Sequence, residues 1–174
     1  MTKTMAQKKK RLPEFSLIGD VDDWEGDIIK DLLELKPGSE CAFYIDSAGG
    51  SVYGAMAVLS LMRLRKLKVT SYVLGECSSA TVLIFAASHK RFVTPYSTLL
   101  FHRMRWESDK RVDSVEARHW ASHFEELEQE LLDLEVKLFG NLSKDRIRTW
   151  INEGRFLTGK QVAEAGIAEL VELA

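Results

Sequence analysis

The spacing of apolar positions changes repeatedly along the chain. FSLIG (15–19) predicts a short strand. Trp24, Ile28, Leu32 and Leu35 then recur at helical spacing behind Asp22 and Asp23, either of which can cap the helix, and Pro37-Gly38 end it. CAFYI (41–45) is strand-like, DSAGGS supplies a glycine turn, and AMAVLSLMRLRKL has the length and composition of a helix. The order then repeats: VTSYVL (69–74) is β-branched, GECSS predicts a turn, and ATVLIFAAS is apolar on nearly every side, as in a buried helix. KRFVT and STLLFH predict two more strands around Pro95, the second ending at His102. Three strand ends thus deliver a glycine pair, a serine pair and a histidine.

Residues 112–139 contain neither proline nor glycine. Trp120, Phe124, Leu127, Leu131, Leu134 and Leu138 alternate spacings of four and three, a heptad-like seam flanked by Glu125, Glu126, Glu128, Glu130, Asp133 and Glu135. A helix of about 28 residues is roughly 42 Å long, more than so small a domain covers with its own surface, so the helix is expected to project and pair with another subunit. Gly140-Asn141 stop it, Ser143 caps a short helix through Trp150, and a last small helix leads to a closing strand in IAELVEL.

At 174 residues the chain suits one domain, 15–174, preceded by a polar, basic arm over 1–14 that is expected to be mobile. A net charge of −2 gives no electrostatic reason to expect nucleic acid as a partner, and KKKR at 8–11 reads as a solvated tail. No apolar run is long enough to span a bilayer and no secretory signal is visible, so a cytoplasmic location away from any membrane is expected. Cys41 and Cys77 lack CxxC spacing and read as free thiols. Glu116, His119 and His123 share adjacent helical turns but read as solvated positions; no metal and no cofactor is expected.

Acyl transfer needs a nucleophile, a base and N–H groups aimed at the developing oxyanion. A serine at the mouth of a buried helix sits where free N–H groups favour negative charge. Gly49 and Gly50 let a neighbouring backbone approach closely, and His102 is a candidate base.

DSAGGSVYGAMAV, VLGECSSATVLIFAAS, KRFVTPYSTLLFH and GRFLTGKQVAEAGIAELV together resemble, in order and separation, the motifs of ClpP, the proteolytic subunit of the Clp protease. The resemblance covers about Phe15 to the C-terminus. It implies an α/β spiral of ββα units, the ClpP/crotonase-like fold, with a projecting handle helix at about 112–139. It also implies a serine endopeptidase that hydrolyses unfolded polypeptides inside stacked, seven-membered homo-oligomeric rings, with an AAA+ unfoldase as a candidate partner. Position by position, the nucleophile falls on Ser79, the base on His102, and the oxyanion donors on the N–H groups of Gly50 and Ala80. Ser51 and Val52 fall along the extended substrate strand.

The motif's third catalytic residue is an aspartate immediately before the R-F of the last block, and Gly154 occupies that place. Glu153 and Asn152 are candidates for the replacement acid, and a backbone carbonyl or water is another way to orient His102. The alternative readings are a catalytically weak or inactive subunit of a mixed ring and a crotonase-type acyl-CoA enzyme. SSAT stands where the family shows S-M-G, and RMRWESDK replaces a glycine-rich stretch.

Overall fold

The computed structural model describes residues 11–108 and 111–173. Most of the expected arm, and KKKR except Arg11, lie outside them. Pro13, just before the first strand, is already tied to the sheet, its carbonyl accepting from the Ala42 N–H.

The elements run β1 (Glu14–Asp20), α1 (Val21–Glu34), β2 (Glu40–Gly49), α2 (Val52–Leu64), β3 (Lys68–Ser78), α3 (Thr81–Ala87), β4 (Lys90–Val93) and β5 (Thr98–Phe101). There follow α4 (Ser114–Phe139), α5 (Lys144–Glu153), β6 (Arg155–Thr158), α6 (Gly159–Glu164) and β7 (Glu169–Leu170). Strands β1-β2-β3-β4-β7 form a parallel sheet whose crossovers are helical. β3 is long enough to serve two neighbours: Thr70–Val73 pair with β4, and Glu76–Ser78 pair with β5. β5 also pairs antiparallel with β6, which extends the same sheet as a branch off β3. This is the α/β arrangement expected of the ClpP/crotonase-like fold.

Buried residues explain the order. Leu17, Phe43, Ile45, Val69 and Val73 of the parallel strands meet Val21, Ile28, Leu32, Val58 and Met62 of α1 and α2 in one core. Every residue of α3 is buried, which its all-round apolar composition requires.

Several boundaries differ from the sequence reading. Asp20, not Asp22 or Asp23, caps α1, accepting from the Asp22 N–H; the acidic pair lies in the first turn, facing the helix dipole. β2 and β3 continue through much of the predicted turns, because a register shift between Ile45 and Ser47 lets the strands stay paired to Ser47–Cys77. Asp46 at that shift accepts from the Glu76 N–H. The closing strand shrinks to Glu169–Leu170, since only two residues find a partner on β4.

Helix α4 starts two residues later than expected, with Asp113 accepting from the N–H groups of Val115 and Glu116, and ends at the left-handed Gly140. Its 26 residues span about 39 Å. Leu132, Glu135 and Phe139 are buried in the protomer, whereas the seam residues Leu127, Leu131, Leu134 and Leu138 are only half-buried. The helix thus carries two parallel stripes one residue apart: 128, 132, 135 and 139 turn inward, and 127, 131, 134 and 138 lie beside them. Glu128 and Glu135 do flank the seam, on the side that faces the protomer's own core.

Candidate active site

The site forms where β2, β3 and β5 end side by side. Ser78 closes β3, fully buried, and donates its hydroxyl to Glu76 Oε1 at 2.6 Å. It is a strand residue, not the turn residue expected. Ser79 takes the turn alone, with φ of 55°, one of two described non-glycine residues with positive φ. An L-residue pays about 1–2 kcal/mol for this conformation. The Ser79 N–H donates to the Leu100 carbonyl at 3.0 Å, and its own carbonyl accepts from Val82 as α3 begins. The tight turn therefore presents the Ser79 side chain at the entry to a buried helix, tied to the strand that leads to His102.

Gly49 is what allows β2 to approach this turn. A Cβ there would lie 2.6 Å from Ser79 Cβ and 2.8 Å from the Ser78 carbonyl oxygen. The Ser47 hydroxyl, 2.9 Å from the Thr81 hydroxyl, ties the same strand end to the first turn of α3. Ala80 directly follows Ser79, its N close to Gly49, and the next residue, Gly50, adopts φ of 126°. Among the described residues, no protein group accepts from the Gly50 or Ala80 N–H. Ser51, with Val52 expected along an extended substrate strand, caps α2 through the Gly54 N–H, and Val52 opens that helix.

A cavity of about 480 Å³ opens over this turn, lined by Ser79, Gly50, Ala80, Val52, His102 and Asn152 together with part of α4. The imidazole Nδ1 of His102 lies 2.6 Å from the Arg103 carbonyl oxygen. A carbonyl only accepts, so Nδ1 carries the hydrogen and Nε2 is left as the basic nitrogen. No hydrogen bond joins Ser79 to His102 among the described residues; such bonds commonly close only when substrate binds.

The position of the expected acid is vacant in a specific way. Gly154 is the left-handed cap of α5, with φ of 62°, and a Cβ there would meet nothing within 4 Å. Of the two replacement candidates, Asn152 lines the cavity, whereas Glu153 is exposed and pairs with Arg155 at 3.4 Å.

Two acids from the flanks of the seam, Glu128 and Glu135, also line the cavity. Glu128 accepts from the Met104 N–H at 2.9 Å through Oε1 and from Arg103 at 2.8 Å through Oε2. Glu135 is buried with Oε2 unpartnered, and desolvation pushes its carboxyl up to about 8. The legible signal was the inward stripe itself, where Leu132 and Phe139 share the helical face of both glutamates.

A family model of the Clp protease matches residues 14–172. The chain belongs to the Clp protease family. As in that family generally, the fold is that of a serine peptidase, and Clp protease members assemble as stacked rings that work with unfoldases. Among the described residues no helix is long and apolar enough to cross a membrane. Cys41 and Cys77 are both buried and free, and burial pushes both thiols up, Cys41 to about 11, so neither offers a thiolate near neutral pH. His123 Nε2 lies 2.7 Å from the Tyr53 hydroxyl.

Proposed function

We propose that this Clp protease family member is an active serine endopeptidase that hydrolyses unfolded polypeptide inside a ring-shaped homo-oligomer. The observation that carries the reading is the Ser79 turn: a left-handed serine at the mouth of a buried helix, hydrogen-bonded to the strand preceding His102, with both side chains on one cavity.

Ser79 Oγ attacks the scissile carbonyl while His102 Nε2 takes its proton. The Gly50 and Ala80 N–H groups receive the oxyanion, and His102 then protonates the leaving amine. Donors fixed in advance need no reorganisation as charge develops, and one such donor is commonly worth a factor of about 10²–10³. The half-buried seam of α4 supplies the surface for pairing between subunits, with seven-membered rings and an AAA+ unfoldase following the family's habit. A cytoplasmic location fits such a machine.

Gly154 favours one second reading, a catalytically weak subunit of a mixed ring, because it leaves no carboxylate where the family places one. Fluorophosphonate labelling of the intact assembly, with the adduct located by mass spectrometry, separates the two. The peptidase reading expects an adduct on Ser79 that disappears in Ser79→Ala. An unlabelled Ser79 in the assembled protein refutes it.

A further inference from the structure

His102 is oriented by the Arg103 carbonyl, and that carbonyl belongs to the same peptide unit as the Met104 N–H. The two ends of this peptide are both engaged: Arg103 O faces His102 Nδ1 at 2.6 Å, and Met104 N donates to Glu128 Oε1 at 2.9 Å. The peptide is planar, so its C=O and N–H point in opposite directions and turn together. Fixing the N–H on Glu128 fixes the direction of the C=O. A carboxylate that accepts from a peptide N–H also polarises the unit, placing more negative charge on the carbonyl oxygen at the far end.

We infer that Glu128 is the positioning acid of this site, acting on His102 through the Arg103–Met104 peptide in place of the carboxylate missing at position 154. The inference rests on the peptidase reading for its catalytic consequence, though not for its geometry. Three features of the surroundings suit the role. Glu128 stands on the inward stripe of α4 and its side chain is only 18% exposed. Its second oxygen is held by Arg103, so both oxygens are fixed in place. Gly154 offers no side chain, and Glu153 is engaged by Arg155.

A peptide is a weaker orienting group than a direct carboxylate. It holds the Nδ1–H tautomer well but carries only a part of the negative charge to the imidazolium. Glu128 accordingly controls orientation and tautomer first, and the electrostatics of the transition state second.

The test uses the assembled, [15N]histidine-labelled protein, reading the His102 tautomer by magic-angle-spinning NMR and the rate of Ser79 labelling by a fluorophosphonate. Glu128→Gln keeps an acceptor for the Met104 N–H and is expected to retain the Nδ1–H tautomer, losing less than about tenfold in labelling rate. Glu128→Ala removes the acceptor and is expected to shift His102 toward the Nε2–H tautomer. Labelling then slows about 10- to 100-fold, part of the 10²–10⁴ that a positioned base supplies. Met104→Pro deletes the donor while leaving Glu128 in place; it should reproduce the Glu128→Ala result and serves if that variant does not fold. Unchanged tautomer and rate in Glu128→Ala or Met104→Pro overturn the inference while leaving the peptidase reading intact. A tautomer shift in a protein whose Ser79 never labels overturns the peptidase reading and supports the positioning role.

Discussion

Replacing Glu135 with glutamine should make the protein more stable, and increasingly so as pH rises. The carboxyl is buried on the inward face of α4, one oxygen has no partner, and burial is the cause of its raised pKa, from 4.5 to about 8. The unfolded chain releases this proton near pH 4.5, whereas the folded chain keeps it up to about 8. Between these values the folded state binds the extra proton, so stability is fully present below the lower value and falls through the window. The slope is about 1.4 kcal/mol per pH unit, giving about 3 kcal/mol between pH 5 and pH 7 and about 5 kcal/mol across the whole window. Glutamine has nearly the same shape and does not titrate. The difference in stability between Glu135→Gln and the parent is therefore expected to grow by about 3 kcal/mol from pH 5 to pH 7. For a chain of this length that corresponds to roughly 6–12 °C in Tm. Calorimetry or urea unfolding at several pH values, at one protomer concentration, measures it. Contributions common to both proteins cancel in the difference. A pH-independent difference would refute the reasoning, showing that the carboxyl finds a charged partner or water in the folded protein.

The other predictions address the turn, the seam and the vacant acid position. Gly49→Ala should cost about 2–4 kcal/mol, combining an unfavourable φ of 106° with a Cβ driven into the Ser78 carbonyl, and should abolish Ser79 labelling; retained labelling would count against the close approach. Leu127→Asp should split the assembly with the protomer fold intact, because Leu127 is only half-buried within one chain; an unchanged sedimentation profile would rule out the seam as the subunit contact. Glu153→Ala should leave peptide hydrolysis within about twofold, since this exposed side chain pairs with Arg155 and does not line the cavity; a large loss would restore it as the replacement acid.

Much of this architecture is written locally. The alternation of short apolar runs, glycine turns and helical segments specifies strand–turn–helix units, and an all-apolar helix such as Thr81–Ala87 has nowhere to go but the core. The long helix was legible to within two residues because a run without proline or glycine leaves little else to form. Ser79 and His102 were legible as motif positions, and their convergence on one cavity follows from β3 pairing with β5.

Tertiary contacts decided the remainder. Extension of β2 and β3 through the predicted turns depends on a register shift between strands, which local composition does not encode. The split of roles between Ser78 and Ser79 turns on one left-handed φ, held by a hydrogen bond to Leu100 some twenty positions away. Charge patterning put Glu128 and Glu135 on the flanks of the seam and gave no sign of their burial, because glutamate is rarely buried. Their sequence spacing was visible; what turned that stripe inward was the packing of α4 against α3 and α5. The chain determines by itself which segments are strands, helices and turns, since those follow from local periodicity and backbone sterics. Which polar groups meet at the site was decided only when distant segments packed together, because hydrogen bonds and desolvation depend on neighbours that sequence order does not bring close.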